Sequence, residues 1–255
     1  MRLALLSDLH ANRQALSACL AHAQTQGVDR HAFLGDLVGY GADPVWVMDQ
    51  VMALQAQGAL VIQGNHDAMA VTPPQGDDST GSSTAEWTHR QLNTEQRRFL
   101  ADLPLTESLE HLLLVHASAD KPETWRYVDS ERSASVCLDA ARGRGLQQGV
   151  APNHILVGHV HHQTLYYQGA GRDLMPFKPT VGVGVPVPRL RACVATVGSV
   201  GQPRDGDTRA MYALFDAGQA RLSFERIAYD HRAAAAAIRR AGQPEFFAKR
   251  LEQGR

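Results

Sequence analysis

An α/β fold is predicted for this chain on three observations. Short apolar runs alternate with stretches of helical periodicity through the first third of the sequence, which is the pattern of a sheet covered by helices. Several of these runs stop abruptly on glycine or on polar side chains, as strands do where a site collects at their carboxyl ends. With 44% hydrophobic and 20% charged residues over 255 positions, the chain has enough apolar material for a sizeable core.

Leu3 to Leu6 is the first candidate strand. It ends at Ser7-Asp8-Leu9-His10, where a two-residue period turns Asp8 and His10 to one side. Ala15, Leu16, Cys19, Leu20 and Ala23 then recur at helical spacing, with Asn12 as N-cap and Gly27 as stop. His31 to Leu34 is a second strand closing on Gly35-Asp36, and Gly39-Tyr40-Gly41 follows as a loop that a ligand can approach. Asp43-Pro44 opens a helix with Val47, Val51 and Leu54 on one face. Ala59 to Ile62 is the third strand, and beyond it Gly64-Asn65-His66-Asp67 presents an amide, an imidazole and a carboxylate in a row. Such groups are ordinary in a turn, and they also suit a metal or an anion.

Thr72 to Ser83 reads as a mobile loop, followed by a helical hairpin capped by Thr84 and Thr94. His111 to Val115 is a strand ending on His116, and the segment from Ala117 to Gln148, with Trp125, Tyr127 and a helix around Val136, Leu138 and Ala141, is expected to cover the site. His154 to Val157 ends on Gly158-His159-Val160-His161-His162, where alternation puts His159 and His161 on one side and His162 on the other. Thr164 to Tyr167, Arg191 to Val197, Met211 to Phe215 and Leu222 to Ala228 read as strands. Gly169 to Pro188 reads as an irregular excursion, Ser199 to Asp207 as a polar loop, and Ala233 to Arg240 and Glu245 to Leu251 as short helices. Without repeats or a marked linker, one domain over 1–255 is expected, with cover insertions around 72–104 and 117–150.

A formal net charge of −1 gives no field that would draw the protein onto extended nucleic acid or an anionic membrane. The three cysteines are far apart and lack C-x-x-C spacing, which argues against a disulfide framework or a thiolate zinc site. The apolar start Leu3 to Leu6 is short for a signal peptide, and no run approaches the roughly 20 apolar residues of a membrane span. A soluble cytoplasmic protein is therefore expected, with its oligomeric state open.

Collected, the groups at strand ends are Asp8, His10, Asp36, Asn65, His66, His116, His159 and His161. Oxygen and imidazole donors without thiolate suit borderline divalent ions, and so many ligands fit two ions better than one. Two such ions roughly 3.5–4 Å apart acidify a shared water for in-line attack on phosphorus.

In order, D-x-H at Asp8–His10, G-D at Gly35-Asp36, G-N-H-D at Gly64–Asp67, a lone histidine at His116 and G-H-x-H at Gly158–His161 resemble the motifs of the calcineurin-like metallophosphoesterases. Trp87-Thr88, Leu103-Pro104 and the loop from Ser199 to Asp205 extend the likeness to the small bacterial and archaeal branch. The resemblance implies a four-layer α-β-β-α sandwich with two mixed sheets. It implies one ion on Asp8, His10 and His161, another on Asn65, His116 and His159, Asp36 bridging them, and His66 as the catalytic imidazole. Manganese is the foremost expectation for both ions, with iron, zinc, cobalt or nickel as alternatives.

The G-D motif runs into Leu37-Val38-Gly39 and not into the V-D-R-G of the protein Ser/Thr phosphatases. The aspartate that orients the histidine there and the arginine that grips phosphate are absent, which argues against phosphoprotein phosphatase activity. Arg204 and Arg126 are candidate phosphate contacts, and Tyr40 is a candidate to stack on a base or aryl group or to pack against a helix. The expected function is hydrolysis of a small phosphodiester or phosphomonoester, or a nucleotide, by a metal-bridging hydroxide. Cleavage of dinucleoside polyphosphates or cyclic nucleotides is the alternative within that chemistry, and a non-catalytic metal-binding scaffold is the alternative outside it.

Overall fold

The computed structural model describes residues 1–75, 80–147, 151–169, 171 and 173–255. Among them are twelve strands and eight α-helices in two six-stranded sheets. The first sheet is built on the β-α alternation of the amino-terminal third. Strands β1 (Arg2–Leu6), β2 (Arg30–Phe33) and β3 (Leu60–Val61) run parallel, joined by helices α1 (Arg13–Thr25) and α2 (Pro44–Ala56). As expected, Asn12 caps α1 by accepting from the Ala15 N–H (3.1 Å), Gly27 follows its end at φ +62°, and Pro44 opens α2. Two short helices come next, α3 (Asn65–Val71) and α4 (Thr80–Gln91), then α5 (Thr94–Asp102).

The second sheet begins with the antiparallel pair β4 (Thr106–Leu109) and β5 (Leu112–Val115). Helix α6 (Glu131–Gln147) leads to β6 (His154–Val157), parallel to β5. Strands β7 (Gln163–Gln168), β8 (Leu174–Phe177), β9 (Val185–Pro186), β10 (Cys193–Val197), β11 (Ala210–Asp216) and β12 (Arg221–Ile227) follow, then helices α7 (His231–Arg240) and α8 (Glu245–Gln253). The orders are β3-β2-β1-β11-β12-β9 and β4-β5-β6-β10-β7-β8, each sheet mixing parallel and antiparallel neighbours.

Strand alternation sorts the apolar residues into layers. Leu3, Leu5 and Ala32 of the first sheet meet Leu112, Leu114, Leu156 and Ala195 of the second in one buried cluster between the sheets. On the outer face of the first sheet Ala4 and Leu6 pack with Leu16 and Cys19 of α1 and Val47 and Val51 of α2. On the outer face of the second, Val115, Ile155 and Val157 pack with Ala134, Cys137 and Leu138 of α6. The result is the four-layer α-β-β-α sandwich. All three cysteines are buried free thiols, and no helix among the described residues is long and apolar enough to cross a membrane.

Several local expectations need correction. The excursion from Gly169 to Pro188 contains β8 and β9, both edge strands. Pro176 and Pro186 hide them in the sequence, yet an edge strand has a side where no N–H is required. Thr84 is inside α4, which is already helical at Thr80, so only Thr72 to Gln75 of the expected loop are non-helical; 76–79 lie outside the described residues. Helix α5 is capped by Asn93, whose side chain accepts from the Gln96 N–H (2.8 Å) while Gln96 Oε1 accepts from the Asn93 N–H (3.1 Å). Thr94 is the first helical residue.

Candidate metal centre

Every residue of the expected ligand set lies just past a strand end, and both sheets contribute. Asp8 and His10 follow β1, Asp36 follows β2, and Asn65 begins α3 after β3. From the second sheet His116 follows β5, and His159 and His161 follow β6. Strand alternation does not aim them, because the strands have already ended. Asp8, His10, Asp36, Tyr40, His159 and His161 all have positive φ, between +45° and +65°. This conformation costs a non-glycine residue on the order of 1 kcal/mol or more. Backbone hydrogen bonds hold it: the N–H groups of Asp8 and His10 donate to the carbonyls of Gly35 and Asp36 (3.0 Å each), and that of Gly158 to His116 (2.9 Å). The motif glycines permit the approach. A Cβ on Gly64 would lie 2.3 Å from Asp36 Oδ1, and one on Gly158 would lie 1.9 Å from Ser7 Oγ and 2.7 Å from Asp8 Oδ2.

The side chains converge in two sets, Asp8–His10–His161 and Asp36–His116–His159, all buried. In the first, His161 Nε2 lies 3.0 Å from Asp8 Oδ1 and 3.1 Å from His10 Nε2. In the second, His116 Nε2 lies 3.3 Å from Asp36 Oδ2, 3.3 Å from Asn65 Oδ1 and 3.1 Å from His159 Nδ1. Asp36 Oδ2 is also 3.8 Å from His10 Nε2, so one carboxylate oxygen faces both sets.

The outer ring nitrogens fix the tautomers. Nδ1 of His10, His116 and His161 contacts the carbonyls of Val38 (3.3 Å), Leu34 (2.7 Å) and Gln202 (2.5 Å). A carbonyl can only accept, so Nδ1 carries a proton, and in the neutral ring the lone pair is on Nε2. In the neutral rings the lone pairs of His10 and His161 face each other and Asp8 Oδ1, which has no hydrogen-bond partner. Buried acceptors converging without a donor are unfavourable until a cation takes the space. This donor set, oxygen and imidazole without thiolate, fits borderline divalent ions.

The ionisable groups of the two sets also shift one another. Burial tends to raise the Asp36 carboxyl, but the neighbouring His116 and His66 hold it well below the ordinary range. Asp8 is also lowered, His161 outweighing burial. Burial, then the charge of His161, keeps His10 well below its usual value, and burial, then His116, pushes His159 down to about 4. His116 differs: burial lowers it, but contact with Asp36 lifts it to about 9.

His66 stands beside the two sets. Its ring is edge-on to His10 (5.2 Å between centroids) and to Tyr40 (4.2 Å). Its backbone N–H donates to Asp36 Oδ1 (2.8 Å), while its buried Nδ1 has no partner. Asp67 is satisfied without metal or anion: it accepts from the N–H groups of Leu37 (2.8 Å), Val38 (3.3 Å) and Gly64 (2.9 Å), tying the Asp36 loop to α3. Burial and then Asp36 push its carboxyl up to about 7, and the N–H donors pull the other way.

Of the expected substrate contacts, Tyr40 stacks on Phe247 of α8 (4.6 Å) and lies over His10 (4.6 Å), so it packs on a helix and borders the site at once. Arg204 donates to Gln202 Oε1. Arg126 lies on the surface, paired with Asp120 (2.6 Å), and no contact with the ligand sets is found for it among the described residues. His162 is exposed. The cover segment supplies two aromatic rings: Tyr127 stacks on His159 (4.3 Å) and Trp125 is edge-on to His116 (5.9 Å).

With this geometry in view, the comparisons with known proteins are specific. Residues 1–220 match the model of the calcineurin-like phosphoesterase superfamily domain. The chain belongs to that superfamily. Its structure is similar to that of a metallophosphoesterase from Sphaerobacter thermophilus, with a TM-score of 0.82 and 32% identity, covering 100% of this chain and 99% of that one. A hypothetical protein from Pyrococcus horikoshii OT3 shares the fold, with a TM-score of 0.74 and 19% identity over 100% and 98% of the two chains. An uncharacterised protein of Methanocaldococcus jannaschii is 29% identical over 99% of this chain and 98% of its own length. As a superfamily member the chain is a metal-dependent phosphoesterase, and helices α7 and α8 lie beyond the matched residues.

Proposed function

We propose that the protein hydrolyses small phosphoric esters, diesters or monoesters, with two divalent cations. Asp8, His10 and His161 hold one, Asn65, His116 and His159 the other, and Asp36 is shared. The observation that carries this reading is one carboxylate oxygen facing both sets, Asp36 Oδ2, 3.3 Å from His116 Nε2 and 3.8 Å from His10 Nε2. When bound, the cations, manganese foremost, supply Lewis-acid polarisation of the phosphoryl oxygens and acidify a water.

The protein's own groups do the remaining work. Burial lowers the pKa of His66, which Asp36 offsets only in part. Held neutral, its imidazole offers one N–H to the oxygen on which charge develops as the ester bond breaks. The hydrogen bond from its backbone to Asp36 fixes it relative to both ligand sets. Tyr127 and Trp125 screen His159 and His116 from water, which strengthens each electrostatic contact inside. Arg204 is the better placed of the two candidate arginines, since Arg126 would first have to leave Asp120.

Bis-para-nitrophenyl phosphate and para-nitrophenyl phosphate with manganese-loaded protein test the reading. Metal-dependent turnover is expected, with kcat lowered about a hundredfold or more in His66→Ala at unchanged metal content. Absence of turnover on both esters at full metal loading would contradict it and favour the scaffold alternative.

A further inference from the structure

Two guanidinium groups meet on one amide oxygen beside the metal centre. Arg204 Nε (3.2 Å) and Nη2 (2.9 Å) and Arg250 Nη1 (3.0 Å) all donate to Gln202 Oε1. An amide oxygen has two lone pairs, so three donors overload it. Neither arginine has a carboxylate partner among the described residues. The acidic groups of the same loop are committed elsewhere, Asp205 to Arg226 and Asp207 to Arg209. The Arg250 guanidinium also lies over the Phe246 ring (4.3 Å). Burial, and next the charge of Arg204, lower its pKa, as two close, half-buried cations require.

The pair is wired to the site. The Gln202 carbonyl accepts from His161 Nδ1, and the hydroxyl of Tyr40, which lies over His10 and His66, is within electrostatic reach of both arginines. Arg204 opens on a groove of about 830 Å³ that also carries Tyr127, the ring stacked on His159, Lys178, the paired Asp205 and Asp207, and Asp129. A like-charged pair with unused N–H donors beside such a groove matches an anion with several oxygens.

We propose that Arg204 and Arg250 form a fork for a second phosphate, adjacent to the one held at the metal-ligand cluster, so that the substrate class is a phosphate ester or anhydride with neighbouring phosphates. Arg250 comes from α8, outside the residues shared with the superfamily model. The carboxyl-terminal hairpin is thus part of the substrate site. The inference rests on the proposed function for the identity of the first phosphate position, and its test reads binding rather than turnover.

Calorimetry at saturating free Mn²⁺ would compare methylenediphosphonate with methylphosphonate, two non-hydrolysable probes with two phosphonates and one. In the wild type the diphosphonate is expected to bind about tenfold or more tightly than the monophosphonate. Arg204→Met and Arg250→Met should each remove most of that advantage, the diphosphonate losing about fivefold or more in affinity beyond whatever the monophosphonate loses. Should Arg250→Met unfold, Arg250→Lys keeps the charge and stem but loses the planar donor fork, and a smaller loss in the same direction is expected. No diphosphonate preference in the wild type, equal losses for both probes, or variants that bind both probes like the wild type would each overturn the proposal. A protein inert on phosphoesters that still shows the preference would refute the proposed reaction and leave the fork standing.

Discussion

At the scale of single residues, the site is organised by which atoms can donate a proton. The carbonyls of Val38, Leu34 and Gln202 hold the Nδ1 protons of His10, His116 and His161, so Nε2 is the atom each neutral ring offers a cation. His116 adds a pH dependence. In the metal-free protein its pKa is raised to about 9, despite burial, by Asp36, so at neutral pH its ligand atom carries a proton that a cation must displace. Metal affinity should therefore rise with pH by up to about tenfold per unit until pH approaches 9, then level off. Chelator competition between pH 6.5 and 9, the window set by the ordinary and raised values, measures this. Flat affinity across that window would show that Asp36 does not hold the proton there. The ligand types were readable from the sequence, but the cause of their convergence was not, since alternation stops at Leu6 and Val157 and positive φ does the aiming. Gln202 and Arg250 gave no signal either, because a glutamine in a polar loop and an arginine in a surface helix are commonplace until the fold brings them together.

At the scale of elements, strands that are apolar and stop on glycine or a polar side chain were legible, and strands defined by their neighbours were not. Strands β5, β6 and β10 consist of buried residues, as does β1 after Arg2, and they stand out in the sequence. Strand β4, Thr106-Glu107-Ser108-Leu109, is polar at an edge, and β8 and β9 contain proline; only pairing with a formed sheet makes them strands. Caps follow the same logic. Thr94 and Asn93 are both good N-cap types, and the reciprocal bonds with Gln96 select Asn93. Asn93→Ala should cost about 1 kcal/mol of unfolding free energy in urea titration, and Thr94→Ala less than about 0.5 kcal/mol. The reverse order would contradict this assignment of the α5 start.

At the scale of the whole molecule, each ligand set takes side chains from both sheets, Asp8 and His10 with His161, and Asp36 and Asn65 with His116 and His159. Cations bound there tie the sheets together across an interface otherwise held by apolar packing. A ligand bound only by the folded state at about a hundred times its Kd adds about 2.7 kcal/mol per site, so chelation should lower the melting temperature by about 10 °C or more. Calorimetric scans with and without chelator check this, and coincident scans would mean that the ions bind outside the inter-sheet centre. The most direct test of the account is the metal stoichiometry of protein dialysed to equilibrium against Mn²⁺, by elemental analysis, with Asp36→Asn alongside. Two ions per wild-type chain and a reduced count in Asp36→Asn are expected, because one carboxylate serves both sets; a single ion per wild-type chain, or two retained without Asp36, would contradict the shared centre.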